Sequence, residues 1–233
     1  MTLVFAVGRR IEDGETMGTY FIVRHGETLA NRSGILQGHL NVPLSDHGRK
    51  QADLVGKALS KSKIHAVYSS DLDRARETAM AIARHHNCRL VLDRRLREIH
   101  CGYMQGKTMD ESHNLYPEFF EAFGQDPLNA VRPGGGESVN DLYQRTTRAL
   151  EDIIRNYPES NVVIVTHGGV VRCLLAYADG IQVDPGSPTP ANTSISVISK
   201  RGDNLQVDIF NDTAHLAPLG DDLEPDYDAY RWQ

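Results

Sequence analysis

Short apolar runs alternate with longer amphipathic stretches along this chain, and the alternation predicts its elements in order. Residues 20–23 form a brief β-rich run, followed by a Gly-, Asn- and Pro-containing loop over 32–44. Ser45 is then a suitable N-cap for a helix over 46–60, with Ala52, Val55 and Leu59 as its inward stripe. A strand over 65–69, a helix over 72–85 and a strand over 89–92 come next, with Ser70 or Asp71 as the helix cap. Residues 107–136 break the rhythm: acidic, aromatic-containing and punctuated by Pro and Gly, they predict a partly helical insertion over one edge of the sheet. A long helix over 138–156 leads into the clearest buried strand, Asn161–Thr166, and then an apolar helix over 170–178. Strands over 194–199 and 205–210 close the pattern.

Strands alternating with helices predict an α/β fold: three α/β/α layers around a mainly parallel central sheet. The 233 residues, 40% of them hydrophobic, suffice for one substantial core, and no linker-like stretch interrupts residues 19–216. Residues 1–18 read as an N-terminal extension. The acidic tail over 217–233, with five acids and one arginine, reads as weakly ordered.

A formal net charge of -6 disfavours nucleic acid and anionic membrane as partners, and means that any phosphate site must be built locally from arginines. No apolar run approaches the ~18 residues of a membrane span. The apolar residues 1–7 lack a preceding basic region and are followed by Glu12, Asp13 and Glu15, a poor targeting peptide. Three cysteines match no zinc spacing and cannot all pair, which points to a reduced, cytoplasmic setting. Oligomeric state is left open.

The chemistry gathers at predicted strand ends. Arg24-His25-Gly26 ends the first strand, Ser69-Ser70 the second and Thr166-His167-Gly168 the central one. In a parallel sheet these ends converge on one edge. Arg24 is a permanent fork-shaped cation, His25 a nucleophile that can be neutral near pH 7, and Gly168 opens a helix whose N-terminus favours anions. Arg74 and Arg76 lie about 200° apart on their helix, so only one can face the site, and spacing does not choose between them. Glu98, just past a strand, is the natural proton donor beside a phosphohistidine site. No carboxylate cluster suits a metal, and His85-His86 reads as a solvated helix end.

Together these segments resemble the histidine phosphatase superfamily, the phosphoglycerate mutase-like enzymes. The resemblance runs over about residues 19–215, through Arg24-His25-Gly26-Glu27-Thr28, Leu36-Gln37-Gly38, Pro43-Leu44-Ser45, Ser69 to Ala75, Leu96-Arg97-Glu98, Gly135-Gly136-Glu137-Ser138 and Thr166-His167-Gly168. It implies a phosphoglycerate mutase-like fold, with His25 as the phosphorylated nucleophile and Glu98 as general acid and then base. It puts Arg74 rather than Arg76 in the phosphate clamp with Arg24 and His167, adds Asn31, Gln37 and Gly168 as phosphate or substrate contacts, and requires no metal or other cofactor.

The same core serves hydrolases and mutases. The insertion carries only Lys107 and Arg132 against Asp110, Glu111, Glu118, Glu121 and Asp126, and that acidic lid would repel phosphoglycerate. Ile99 resembles phosphatase members, whereas His100 and Gly102-x-x-Gln105-Gly106 are mutase-like. The expectation is a phosphomonoester hydrolase for a small phosphorylated metabolite such as a sugar phosphate. A cofactor-dependent phosphoglycerate mutase is the alternative, and a silent phospho-ligand binding protein the third reading. His215 is a candidate for the pocket mouth, or else a satisfied C-terminal histidine.

Overall fold

Side-chain alternation in two neighbouring strands decides the architecture. β1 (Gly18–Arg24) sends Tyr20 and Ile22 to one face and Phe21 and Val23 to the other; β4 (Asn161–Thr166) does the same with Val162 and Ile164 against Val163 and Val165. A strand that is apolar on both sides needs cover on both sides. α6 (Val139–Asn156) and α7 (Gly168–Ala178) cover the first face through Leu142, Leu150, Ile153, Val170 and Leu174. α2 (Asp46–Leu59) and α3 (Asp73–Ala83) cover the second through Val55, Leu59, Ala75, Ala79 and Ile82. The computed structural model describes residues 18–222. The extension before residue 18 and the tail beyond residue 222 lie outside the described residues, while Ala214–Asp222 form 3₁₀ turns.

The six-stranded sheet has the order β3-β2-β4-β1-β5-β6, with β2 spanning Ala66–Ser69, β3 Arg89–Leu92, β5 Ile195–Arg201 and β6 Asn204–Asp212. The first four are mutually parallel, but β5 runs antiparallel to β1, and β6 antiparallel to β5. The sheet is therefore mixed. Arg201 pairs with Asn204 across a two-residue turn in which Gly202 has φ +59°, and so short a connection can join only antiparallel strands.

Ser45 caps α2 as predicted, its Oγ accepting from the Gly48 N–H at 2.9 Å and donating to Glu27 Oε1 at 2.6 Å. Gly48 allows this close approach, since a Cβ there would lie 2.0 Å from the Glu27 carbonyl oxygen. α3 departs from expectation: neither Ser70 nor Asp71 caps it, and Leu72 stands at the N-cap without a side-chain bond. Asp71 is instead held by the Arg97 guanidinium through two contacts of 2.6 Å, a bidentate charge-assisted pair stronger than a neutral cap.

The insertion folds as α4 (Met109–Leu115) and α5 (Pro117–Gln125), then a glycine-rich return. Phe119 and Phe123 are buried in the α6/α7 core, so the insertion's aromatics anchor it rather than line a binding surface.

Candidate active site

The pairing of β1 with β4 builds the site. Arg24 is in register with Thr166, and the His25 N–H donates to the Thr166 carbonyl at 2.8 Å, so the residue after each strand sits beside the other. The His25 and His167 rings are 5.1 Å apart. Beyond them opens a cleft of about 120 Å³ lined by Arg24, His25, Gln37, Arg74, Glu98 and Gly168, among others.

His25 is buried, and burial, Arg74 and Arg24 push its pKa well below the ordinary imidazole value, in that order. The ring is therefore neutral near pH 7. Its Nδ1 lies 2.7 Å from the Gly26 carbonyl, which can only accept, so the proton belongs on Nδ1 and the lone pair on Nε2. His167 is also held neutral by burial and then by Arg74. Its Nε2 meets Ser70 Oγ at 2.9 Å, while its buried Nδ1 has no protein partner. The ring packs beside His25, and Gly168 of the same turn lines the cleft.

Two arginines frame the nucleophile, both about 1% exposed. Arg24 Nη1 donates to the Pro190 carbonyl at 2.6 Å, and Arg74 donates to the carbonyls of Gly38 and Leu40 at 2.9 and 2.8 Å. These carbonyl anchors hold each guanidinium in orientation beside His25. Arg76 points away and pairs with Asp73 at 2.7 Å, which closes the choice that helical spacing left open.

Around Gln37 a short helix matters. α1 (Leu29–Arg32) is capped by Thr28, and the Thr28 hydroxyl lies 3.0 Å from both Gln37 Oε1 and Asn31 Oδ1. Asn31 is buried in this capping box and is not on the cleft wall, whereas Gln37 is. Glu98 is on the wall: Oε1 accepts from the Ile99 N–H at 2.8 Å and Oε2 from the Gly169 N–H at 3.1 Å. A Cβ at Gly169 would come within 2.5 Å of Glu98 Oε1, so a larger residue there would push the carboxylate from its place. From α6, Arg145 binds the carbonyls of Arg95, Arg97 and Glu98 at 2.7–2.8 Å and pairs with Glu137 at 2.7 Å, strapping the segment that carries Glu98.

Three features escaped the sequence. Arg172, on α7, and Arg132, in the insertion, both line the cleft, and the insertion's acids Asp110, Glu111, Glu118, Glu121 and Asp126 are all exposed and off its wall. The acidic composition of the lid therefore does not set the sign of the pocket. Arg172 had a legible signal: it is four residues after Gly168, on the same helix face, and helical side chains lean toward the N-terminus. The loop before β5 is the third. Thr193, at φ +56°, donates its N–H toward the carbonyls of Arg24 and His25, and Asn192 Nδ2 donates to the His25 carbonyl at 2.9 Å. A β-branched residue in the left-handed region is strained, and here the strain sits beside the nucleophile. His215 is half-buried, not on the cleft wall, and pushed down to about 4 by burial.

Buried neutral imidazoles make stability depend on pH. His25, His167 and His215 have folded pKa values below the unfolded 6.5, so each binds a proton on unfolding in acid. Their penalty is absent well above pH 6.5 and grows as pH falls below it, for His215 down to about 4. The lowered carboxyls of Asp71 and Glu137 act only near and below 4.5. The melting temperature should fall between pH 7 and 5, and calorimetry showing no fall would mean that these rings are not held neutral. Among the described residues, no group of three or more His, Cys, Asp or Glu could hold a metal ion, and no helix is long and apolar enough to cross a membrane.

Residues 20–213 match the family model for the histidine phosphatase superfamily, branch 1. The chain is 42% identical over 204 residues to phosphoglycerate mutase-like protein 4 of Arabidopsis thaliana, an alignment covering 85% of this chain and 87% of that one. It is 37% identical over 201 residues to the metal-independent phosphoserine phosphatase of the same plant, covering 85% and 83%. Among solved structures, Bacillus stearothermophilus YhfR superposes with a TM-score of 0.79 at 34% identity, covering 85% of this chain and 99% of that one.

Proposed function

The chain belongs to the histidine phosphatase superfamily, branch 1, and from that footing we propose that it is a metal-independent phosphomonoester hydrolase of small phosphorylated metabolites, working through phosphohistidine. One observation carries the reading: a neutral His25 with its proton on Nδ1 presents a free Nε2 to a cleft that also holds two carbonyl-anchored guanidiniums and one carboxylate. The likeness to a metal-independent phosphoserine phosphatase supports hydrolysis of a small phosphorylated metabolite.

The residues divide the work as follows. The phosphoryl oxygens lie against Arg24 and Arg74, with Gln37 and the Gly168 N–H as further donors. When the Ser70 hydroxyl donates its hydrogen bond to His167 Nε2, the ring proton sits on Nδ1, which serves as a further donor. His25 Nε2 attacks phosphorus, the bond to the leaving oxygen breaks, and Glu98 gives that oxygen a proton. In the second step, water attacks phosphorus, Glu98 takes the water's proton, and the N–P bond breaks to return a neutral imidazole and phosphate. Asn31 supports this site by holding Thr28, and through it Gln37, in place. Positioning and charge stabilisation supply most of the catalysis in phosphoryl transfer.

Glu98→Gln separates proton donation from charge. The loss in kcat/KM, which reports the phosphorylation step alone, should be about 10²–10⁴-fold with alkyl phosphates and much smaller with p-nitrophenyl phosphate, whose leaving group needs no proton. Equal losses on both would remove Glu98 from that role. Phosphate release should also exceed phosphoglycerate isomerisation primed by bisphosphoglycerate; the reverse ratio would favour the mutase.

A further inference from the structure

One short loop holds both Arg24 and His25. Within residues 190–193, just before β5, the Pro190 carbonyl accepts from Arg24 Nη1 at 2.6 Å and Asn192 Nδ2 donates to the His25 carbonyl at 2.9 Å. The Thr193 N–H donates toward the carbonyls of Arg24 and His25, at 3.1 and 3.3 Å. A Cβ at Gly168 would lie 2.7 Å from Thr189 Cγ2, so the chain entering this loop also packs on the turn after His167. Neither Asn192 nor Thr193 lines the cleft. They touch the peptide groups that carry the reacting side chains, and no reacting atom.

Local propensity does not give the loop this shape. Thr193 sits at φ +56°, and a β-branched residue persists there only when its surroundings over-determine it. One of those surroundings comes from β6, where Asn211 Oδ1 accepts from the Ala191 N–H at 2.8 Å. β6 takes three steps from Ile209 to Asp212 while β5 takes two from Val197 to Ile195, so β6 carries an extra residue, a β-bulge. Asn211 lies in that bulge at φ +57°, with its N–H bonded to Ser196 Oγ at 3.1 Å. A bulge re-aims a side chain, and asparagine tolerates the left-handed region better than most residues. Thr193 and Asn211 are the only non-glycine residues at positive φ among the described residues, and they stand at the two ends of one contact path to His25.

We propose that residues 190–193, locked by the bulged Asn211, position the nucleophile, and that Asn192 and Asn211 are positioning residues for the phosphorylation step. This rests on the hydrolase reading, in which His25 Nε2 meets phosphorus in line while Arg24 holds its oxygens. The His25 carbonyl and the Arg24 guanidinium take their places from the same four residues, so a shift of the loop moves nucleophile and clamp together. A misplacement of about 1 Å in such a site costs about 10²-fold.

Substitutions at Asn211 separate positioning from folding. Asn211→Gly keeps the left-handed backbone without steric cost but removes the acceptor of the Ala191 N–H, whereas Asn211→Asp keeps an acceptor and still tolerates that conformation. With p-nitrophenyl phosphate, kcat/KM should fall about 10–10²-fold in Asn211→Gly, and Asn211→Asp should recover most of that loss. Were residue 211 only a turn residue, glycine would be the better of the two. Asn192→Ala should lose about 10–10²-fold as well, and combining it with Asn211→Gly should cost little more than the larger single loss, because both act through one loop. If wild-type protein turns over p-nitrophenyl phosphate and forms phosphohistidine, yet folded Asn211→Gly is undiminished or the two losses multiply, the lock is wrong and the hydrolase stands. Absence of both turnover and adduct in wild-type protein would overturn the hydrolase, and the role given to the loop with it. Should one variant fail to fold, the other decides; failure of both would make the loop a folding element and overturn the positioning role.

Discussion

His25→Ala is expected to lower kcat by about 10⁴–10⁶-fold on every phosphomonoester, the scale seen when a covalent nucleophile is removed. The covalent adduct should vanish with it. Wild-type protein mixed with substrate and quenched should carry a phosphoryl group that is stable in base and labile in acid, as a P–N bond is. The ring leaves few other routes. His25 is 3% exposed, its Nδ1 is committed to the Gly26 carbonyl, and its Nε2 is the nitrogen that remains for phosphorus. His167, 5.1 Å away, is not an equivalent substitute: with Ser70 donating to its Nε2, the ring proton is on Nδ1 and neither nitrogen has a lone pair available. An unchanged adduct in the alanine variant would assign the chemistry to another residue.

The second large effect is expected at Arg74. Arg74→Ala should cost roughly 10²–10³-fold in kcat, the scale for deleting one preorganised transition-state donor. It should also move the pH profile. The Arg74 charge is the largest electrostatic cause, after burial, of the low His25 pKa. Attack needs neutral His25, so activity is lost as pH falls through that value. Removing the cation raises it toward 6.5, and the acidic limb of kcat/KM should shift to higher pH. Loss of the Gly38 and Leu40 anchors would by itself lower activity without moving the limb. Near-normal kinetics with an unmoved limb would mean that Arg74 is not in the clamp.

Of the residues expected at the site, Arg24, His25, Gln37, Arg74, Glu98 and Gly168 line the cleft, and the reason is local. Arg24 and His25 follow a strand, Gly168 opens a helix, and Glu98 follows a turn, so each carries its chemistry in its own neighbourhood. Where the reading fell short, a distant partner had decided. Asp71 was expected to cap α3, but Arg97, 26 residues on, offered a bidentate pair. Asn31 was expected on the wall; the Thr28 capping box holds it one layer back. The lid's five acids suggested a repulsive entrance, yet all face solvent, and the insertion's Arg132 alone turns inward.

What the amino-acid order determined by itself was the set of elements, the two-sided burial of β1 and β4, and the types of residue delivered to their ends, because periodicity, caps and turn residues act over a few positions. Only tertiary structure decided which side chains share the cleft. The Arg24–Thr166 register brought two histidines together across more than 140 positions, and the fold of the insertion chose Arg132 over its acids. Electrostatic environment is a property of what surrounds a group in space, and the chain order alone does not specify those surroundings.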